Sequence, residues 1–160
     1  MIKVLNSIDI APILQAYTEL EKNIQWTDYG HKGKQAGLQY KDGEEIWASA
    51  VGRSKGEELL YTKLNLYFKD TIFEDIINQY KLTRSRLMWI GPYACYSMHR
   101  DSTPRVHVPL ITNPECYFVF KKGIIRHMPT GSVYLTQTTF SHTFMNCSAQ
   151  YRLHLVGVVE

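Results

Sequence analysis

From Leu87 onward the chain is cut into short runs of β-branched and aromatic residues, and this texture limits the available folds more than any other feature. Leu87 to Ile90, Tyr93 to Ser97, Arg105 to Ile111, Cys116 to Phe120, Ser132 to Thr136, Phe140 to Phe144 and Tyr151 to Val159 each have the composition of a strand. Gly91-Pro92, Asn113-Pro114, Lys122-Gly123, Pro129-Thr130-Gly131 and Asn146-Cys147-Ser148 punctuate them as turns. At least six short strands within ~75 residues predict a mainly β sandwich or jelly roll.

The first half reads differently. Ile2 to Leu5 predicts a short strand. A helix follows from about Ile10 to Lys22, with Asp9 placed to cap it and Ile13, Tyr17, Leu20 and Ile24 at helical spacing. A second helix is predicted from about Thr71 to Tyr80. Asp70 is its expected cap, and Ile72, Phe73, Ile76, Ile77 and Tyr80 form an apolar stripe that needs a sheet face to cover it. The two helices are expected to buttress one outer face of the β core. Between them, Trp26 to Gly56 is rich in glycine and lysine and predicts an irregular, exposed segment with a hairpin in it, a lid or substrate loop being the alternative to a plain surface excursion. His31 reads as a solvated histidine, and His127, in a turn, as a surface residue.

The chemistry concentrates in Met98 to Leu110. Side chains on a strand alternate between faces, so His99 and Asp101 leave the same face and bring an imidazole and a carboxylate to one point. His142, between Phe140-Ser141 and Thr143-Phe144, is the best candidate for a second histidine. Two histidines and a carboxylate on one face of an octahedron leave three positions open, an arrangement suited to non-haem Fe(II). Arg152, in Tyr151-Arg152-Leu153-His154-Leu155, is a cation among strand hydrophobes and needs an anion to justify its burial. Arg105 and His107 share one strand face while Val106, Val108 and Leu110 share the other, so a polar face meets a site and an apolar face meets a core. His154, on the strand face of Arg152, is either a support for the site or a core residue.

At 160 residues, 44% hydrophobic and 21% charged, the chain has the size of one domain, divided into a helical and irregular part (1–85) and a metal-binding β core (86–160). A net charge of +3 with scattered lysines and arginines gives no reason to expect nucleic acid or a membrane as partner. Without a signal peptide pattern or a long apolar run, the expected location is cytoplasmic. Cys95, Cys116 and Cys147 are odd in number and widely spaced, and read as reduced, buried thiols.

Gly91-Pro92 leading to Met98-His99-Arg100-Asp101, then Arg105-Val106-His107-Val108-Pro109-Leu110, Gly131, Phe140-Ser141-His142 with Asn146, and Arg152-Leu153-His154-Leu155 resemble the aspartyl/asparaginyl β-hydroxylase family of Fe(II)- and 2-oxoglutarate-dependent oxygenases. The resemblance covers about Trp89 to Val158. It implies a double-stranded β-helix, a cupin-like jelly roll, in which His99, Asp101 and His142 bind iron. Arg152 would pair with the distal carboxylate of 2-oxoglutarate, and Arg105 and His107 would help hold that cosubstrate. The implied reaction consumes O2 and 2-oxoglutarate, releases succinate, and hydroxylates a C–H bond of an amino-acid side chain, peptide or free, or of another small metabolite. Trp26, Trp47 and the tyrosines are candidates for the wall that aims that carbon. A non-catalytic cupin-like module holding a small acid is the alternative. A hydrolytic zinc site ranks last, since no H-E-x-x-H pattern occurs. Oligomeric state is left open.

Overall fold

A computed structural model of the chain describes residues 1–48 and 55–160. In chain order the elements are β1 (Ile2–Ser7), α1 (Ala11–Leu20), β2 (Thr27–Gly30), β3 (Gly33–Gly37), β4 (Gln39–Tyr40), α2 (Lys55–Glu58), β5 (Lys63–Leu64) and α3 (Ile72–Tyr80). They continue with β6 (Thr83–Ile90), β7 (Ala94–Cys95), β8 (Arg105–Ile111), β9 (Cys116–Phe120), β10 (Ile124–Arg126), β11 (Ser132–Thr136), β12 (His142–Asn146) and β13 (Arg152–Val158).

Strands β6 to β13 form the predicted jelly roll. Four of them run antiparallel in the order β11-β8-β13-β6, and the other four in the order β10-β9-β12-β7, which is the strand alternation of a double-stranded β-helix. The first sheet is widened to seven strands by β1 on the β11 edge and by β3 and β2 on the β6 edge.

Strand alternation decides what each face carries. On β8 and β13 the outer positions are Val106, Val108, Leu110, Leu153 and Leu155, and they join Leu87 of β6 in one buried cluster with Ile13, Tyr17, Phe73, Ile76 and Ile77 of α1 and α3. The helices thus cover the outer face of the larger sheet, and each fully buried Ile or Phe contributes about 1.5–3 kcal/mol. A second cluster, with Ile90, Cys116, Phe118, Phe120, Tyr134 and Phe144, fills one part of the space between the sheets. The inner positions elsewhere carry Arg105, His107, Arg152 and His154, so the interior changes from apolar to polar along the same strands.

Several local expectations are corrected. Thr71, not Asp70, is the N-cap residue of α3, and neither caps with its side chain. Asp70 adopts a left-handed φ of 58°, from which its N–H donates to Glu74 Oε2 at 2.7 Å. The segment from Trp26 is not wholly an exposed excursion, because β2 and β3 form a hairpin that pairs with β6, and residues from Gly33 to Gln39 are mostly buried. Glycine serves proximity there: a Cβ on Gly33 would lie 2.6 Å from the Tyr29 ring. The part of this segment at residues 49–54 lies outside the described residues. The run from Tyr93 pairs only at Ala94–Cys95, since Tyr93 turns left-handed (φ 52°) after Gly91-Pro92. Strand β10 was not anticipated. Cys116 alone is a buried thiol; Cys95 and Cys147 are free and exposed, one on an edge strand and one in a turn. His127 is half-buried, with Nδ1 2.9 Å from the Cys116 carbonyl. Among the described residues no helix is long and apolar enough to cross a membrane.

Candidate active site

His99 and Asp101 do not sit on a regular strand. They lie in the connection from β7 to β8, where His99 and His142 exchange both backbone hydrogen bonds, His99 N–H to the His142 carbonyl at 2.9 Å and the reverse at 2.8 Å. The Asp101 N–H donates to the Thr138 carbonyl at 3.0 Å. These bonds bring together two chain segments some forty positions apart and set both imidazoles beside the carboxylate. His99 Nε2 is 3.9 Å from Asp101 Oδ1, and His142 Nε2 is 3.8 Å from Asp101 Oδ2. One ligand atom from each of the three residues lies within 4.8 Å of the others, the one such group of histidine, cysteine or acidic residues found among the described residues.

The tautomers suit a cation. His99 Nδ1 lies 2.8 Å from the Ser97 carbonyl, and His142 Nδ1 lies 2.9 Å from the Phe140 carbonyl. A carbonyl only accepts, so each Nδ1 carries the proton and each Nε2 presents a lone pair toward Asp101. Burial pushes His142 below its ordinary range and favours the neutral ring that metal coordination requires. Its ring also stacks on Phe118, at 5.0 Å between centroids and 13° between planes.

Behind this group opens a cavity of about 460 Å³ between the two sheets. Arg152 and His107 line it. Arg152 is 2% exposed and, among the described residues, has no carboxylate beside it; it touches His154 Nδ1, covers the Phe144 ring at 3.7 Å, and leaves Nε without a partner. Burial drives its guanidinium down to about 9, the signature of a cation without a counter-ion. Neither ring nitrogen of His107 has a partner. Buried polar atoms in native proteins are almost always satisfied, so this wall is shaped for polar groups that the described residues do not supply.

Arg105 also lines the cavity, but its guanidinium is already engaged. It donates to Glu58 Oε1 at 2.7 Å and to the Thr103 carbonyl at 3.0 Å, and its Nε stands 3.4 Å from Asp101 Oδ2. Arg84 reaches the same Glu58 oxygen, and Thr103 Oγ1 donates to Glu58 Oε2 at 2.8 Å. Glu58, 1% exposed, therefore joins two guanidinia, one of which leans on Asp101. Sequence reasoning missed Glu58, Arg84, Arg86 and Gln35, all of which line the cavity. Arg84-Ser85-Arg86-Leu87 carried a usable signal, the same cation-in-a-strand pattern that exposed Arg152. Glu58, in Lys55-Gly56-Glu57-Glu58, carried none. The cavity wall is completed by Tyr29 and Tyr96, whose hydroxyls meet, and not by the tryptophans: Trp26 packs on Lys34 and Trp47 on Phe68. His31 is exposed and also borders the cavity.

The fold has close counterparts among solved structures. An oxidoreductase of the 2OG-Fe(II) oxygenase family from Burkholderia pseudomallei aligns with a TM-score of 0.61 at 16% identity, over 98% of this chain and 82% of that one. HygX from Streptomyces hygroscopicus, solved with nickel, 2-oxoglutarate and hygromycin B bound, aligns with a TM-score of 0.57 at 10% identity, over 98% of this chain and 81% of its own. A prolyl-4-hydroxylase from Pseudomonas putida gives 0.52 at 10% identity, over 99% and 90%. At these identities the likeness concerns the fold. No curated protein matches the chain. The family model for aspartyl/asparaginyl beta-hydroxylase matches residues 13–160, which takes in both the β core and most of the N-terminal half, and on that match the chain belongs to the aspartyl/asparaginyl β-hydroxylase family.

Proposed function

We propose that the protein is an Fe(II)- and 2-oxoglutarate-dependent oxygenase that hydroxylates a C–H bond of an amino-acid side chain or of another small metabolite. The observation that carries this reading is the meeting of His99 Nε2, Asp101 and His142 Nε2 within 4.8 Å at the mouth of a cavity whose wall holds an uncompensated arginine. Iron bound there would supply O2 activation coupled to decarboxylation of the keto acid.

The remaining work falls to the chain. His99 and His142 keep their lone pairs aimed by donating Nδ1–H to Ser97 and Phe140. Arg105 Nε holds Asp101 Oδ2, and Glu58 holds Arg105. Arg105 in this reading supports the metal-binding carboxylate instead of meeting the cosubstrate directly. Arg152 takes the distal carboxylate of 2-oxoglutarate; its planar fork offers two parallel charge-assisted hydrogen bonds, and the Phe144 ring fixes its plane. His107, with two unpartnered nitrogens, donates its one ring N–H to the same bound acid. Tyr29 and Tyr96 form part of the cavity wall, their hydroxyls meeting across it.

The direct test is succinate formation from 2-oxoglutarate by the protein supplied with Fe(II) and ascorbate under air. Succinate is expected from the wild type, slowly when no substrate is added. His99→Ala combined with His142→Ala is expected to bind no iron and form none. Iron binding that survives the double substitution, or keto acid binding indifferent to Arg152→Gln, overturns the proposal.

A further inference from the structure

Arg86 is the guanidinium that this reaction leaves unused. It stands on β6 opposite Val156 of β13, and Val156 is in turn opposite His107 of β8, so Arg86 shares a cross-strand row with the cavity wall. It is 6% exposed; Nη1 donates to Gln35 Oε1 at 3.0 Å, and Nε has no partner. The carboxylates nearby are committed: Glu58 to Arg84 and Arg105, and Asp101 to Arg105 and the two imidazoles. Desolvation, reinforced by Arg84 and Arg105, pushes the Arg86 guanidinium well below its usual range. An anion brought in from outside would remove that penalty.

The charge balance of the cavity points the same way. Among its described residues, four buried guanidinia, those of Arg84, Arg86, Arg105 and Arg152, face two carboxylates, Glu58 and Asp101, which leaves two positive charges uncompensated even before the exposed Arg100, which also lines it, is counted. A divalent cation adds two and a keto diacid removes two, so loading the site with both leaves the surplus unchanged. The reactant still to enter is the substrate.

Resting on the oxygenase reading, we propose that the substrate is a small free carboxylic acid whose carboxylate is bound by Arg86, with Gln35 holding the guanidinium in plane. An arginine fork is matched to a carboxylate, and a buried one discriminates sharply against a neutral isostere. The acid is free and small because Arg86 lies deep in the cavity, whose roughly 460 Å³ must also admit the cosubstrate.

The test uses the whole protein loaded with Ni(II), which prevents turnover, and saturating 2-oxoglutarate. Propionate and propionamide, alike in shape and different in charge, are titrated by NMR. Propionate is expected to bind about tenfold or more tightly than propionamide, the ratio that one charge-assisted pair supplies. In Arg86→Gln that preference disappears while the Kd for 2-oxoglutarate stays within about threefold of wild type, a change smaller than the loss of one such hydrogen bond. Equal binding of the two probes, or binding of neither, overturns the inference and leaves the oxygenase reading intact. So does an Arg86→Gln protein that loses 2-oxoglutarate as severely as propionate, because Arg86 then belongs to the cosubstrate. A peptide carrying an internal aspartate that binds where propionate does not also overturns it. Failure of 2-oxoglutarate itself to bind the nickel-loaded wild type removes both readings. If Arg86→Gln does not fold, equal binding of the two probes by the wild type still overturns the inference.

Discussion

Replacing Glu58 tests whether the polar interior is held together as one unit. Arg84 Nη1 and Arg105 Nη2 both contact the same oxygen, Glu58 Oε1, so the two guanidinia sit on either side of a single buried carboxylate. Glu58→Gln keeps the volume and removes the charge. Two cations held on one oxygen then repel by about 3–4 kcal/mol, the scale for unit charges roughly 4–5 Å apart at an effective dielectric near 20. Stripping one partner from a buried ionic group generally costs about 3–5 kcal/mol, in agreement. Chemical denaturation should therefore show Glu58→Gln less stable by about 3–5 kcal/mol, equivalent to a Tm lower by roughly 6–20 °C. Adding Arg84→Met should recover about 3 kcal/mol, since the repulsion goes with its second partner. Metal affinity responds separately. Arg105, freed from Glu58, has only Asp101 left as a carboxylate and competes with the cation for it, so the Kd for Co(II), read from its visible spectrum, should rise about 10–100-fold. That rise should persist in the Glu58→Gln/Arg84→Met protein, which a merely structural role for Glu58 does not predict. A stability loss below about 1 kcal/mol, the range of exposed ion pairs, together with unchanged Co(II) affinity, would refute the reasoning.

Other substitutions probe other parts of the wall. Arg152→Gln should raise the Kd for 2-oxoglutarate about 10–100-fold in a metal-loaded protein, with Arg152→Lys intermediate because it keeps the charge and loses the fork; calorimetry checks this, with equal losses for both variants showing that the fork alone matters and wild-type affinity in Arg152→Lys showing that charge alone does. His107 and His154 are pushed well below their usual range, chiefly by burial and next by Arg152, so they stay neutral in the folded protein while the unfolded chain protonates them. Stability should accordingly be level above about pH 7 and fall as pH drops through about 6.5, by up to about 1.4 kcal/mol per pH unit for each histidine. Denaturation series from pH 7.5 to 5.5 should show this slope, to which the depressed His142 also adds, and His154→Gln should reduce it by up to about 1.4 kcal/mol per pH unit. Gly157→Ala places a methyl 2.7 Å from Leu82 Cδ1 and 3.0 Å from its Cβ, and should destabilise by about 1–3 kcal/mol through overpacking against α3's C-terminal turn, with little change in metal affinity.

The β core was legible because its information is local. Arg105 to Ile111 became β8 with its predicted limits, and Val106, Val108 and Leu110 face the helices while Arg105 and His107 face the cavity, as two-residue alternation requires. The pairing of His99 with His142 was legible only as a guess at convergence; no local rule encodes the bridge that joins them. Asp101 was assigned to a strand face, yet what aims it is a backbone bond to Thr138 and the arginine four residues on. Where reading failed outright, tertiary context overrode composition. Gly33-Lys34-Gln35-Ala36-Gly37 reads as a surface loop and folds as an inner strand, since its small residues admit the Tyr29 ring and its one long inward residue, Gln35, meets Arg86.

That inner strand explains why the N-terminal half matters chemically. A bare eight-strand jelly roll would supply His99, Asp101, His142, Arg105 and Arg152, enough for a cation and a diacid. Glu58 of α2 and Gln35 of β3 come from outside that core, and each acts on a core arginine: Glu58 holds and neutralises Arg105 beside Asp101, and Gln35 holds Arg86 without neutralising it. The two additions have opposite electrostatic consequences. A carboxylate satisfies its arginine permanently, whereas an amide oxygen orients a guanidinium and leaves its charge free to pair with an incoming anion. A chain that used glutamate at position 35 would gain a buried ion pair there and lose the vacancy for a second acid; Gln35→Glu should therefore raise stability or leave it unchanged while removing the preference of the loaded protein for propionate over propionamide.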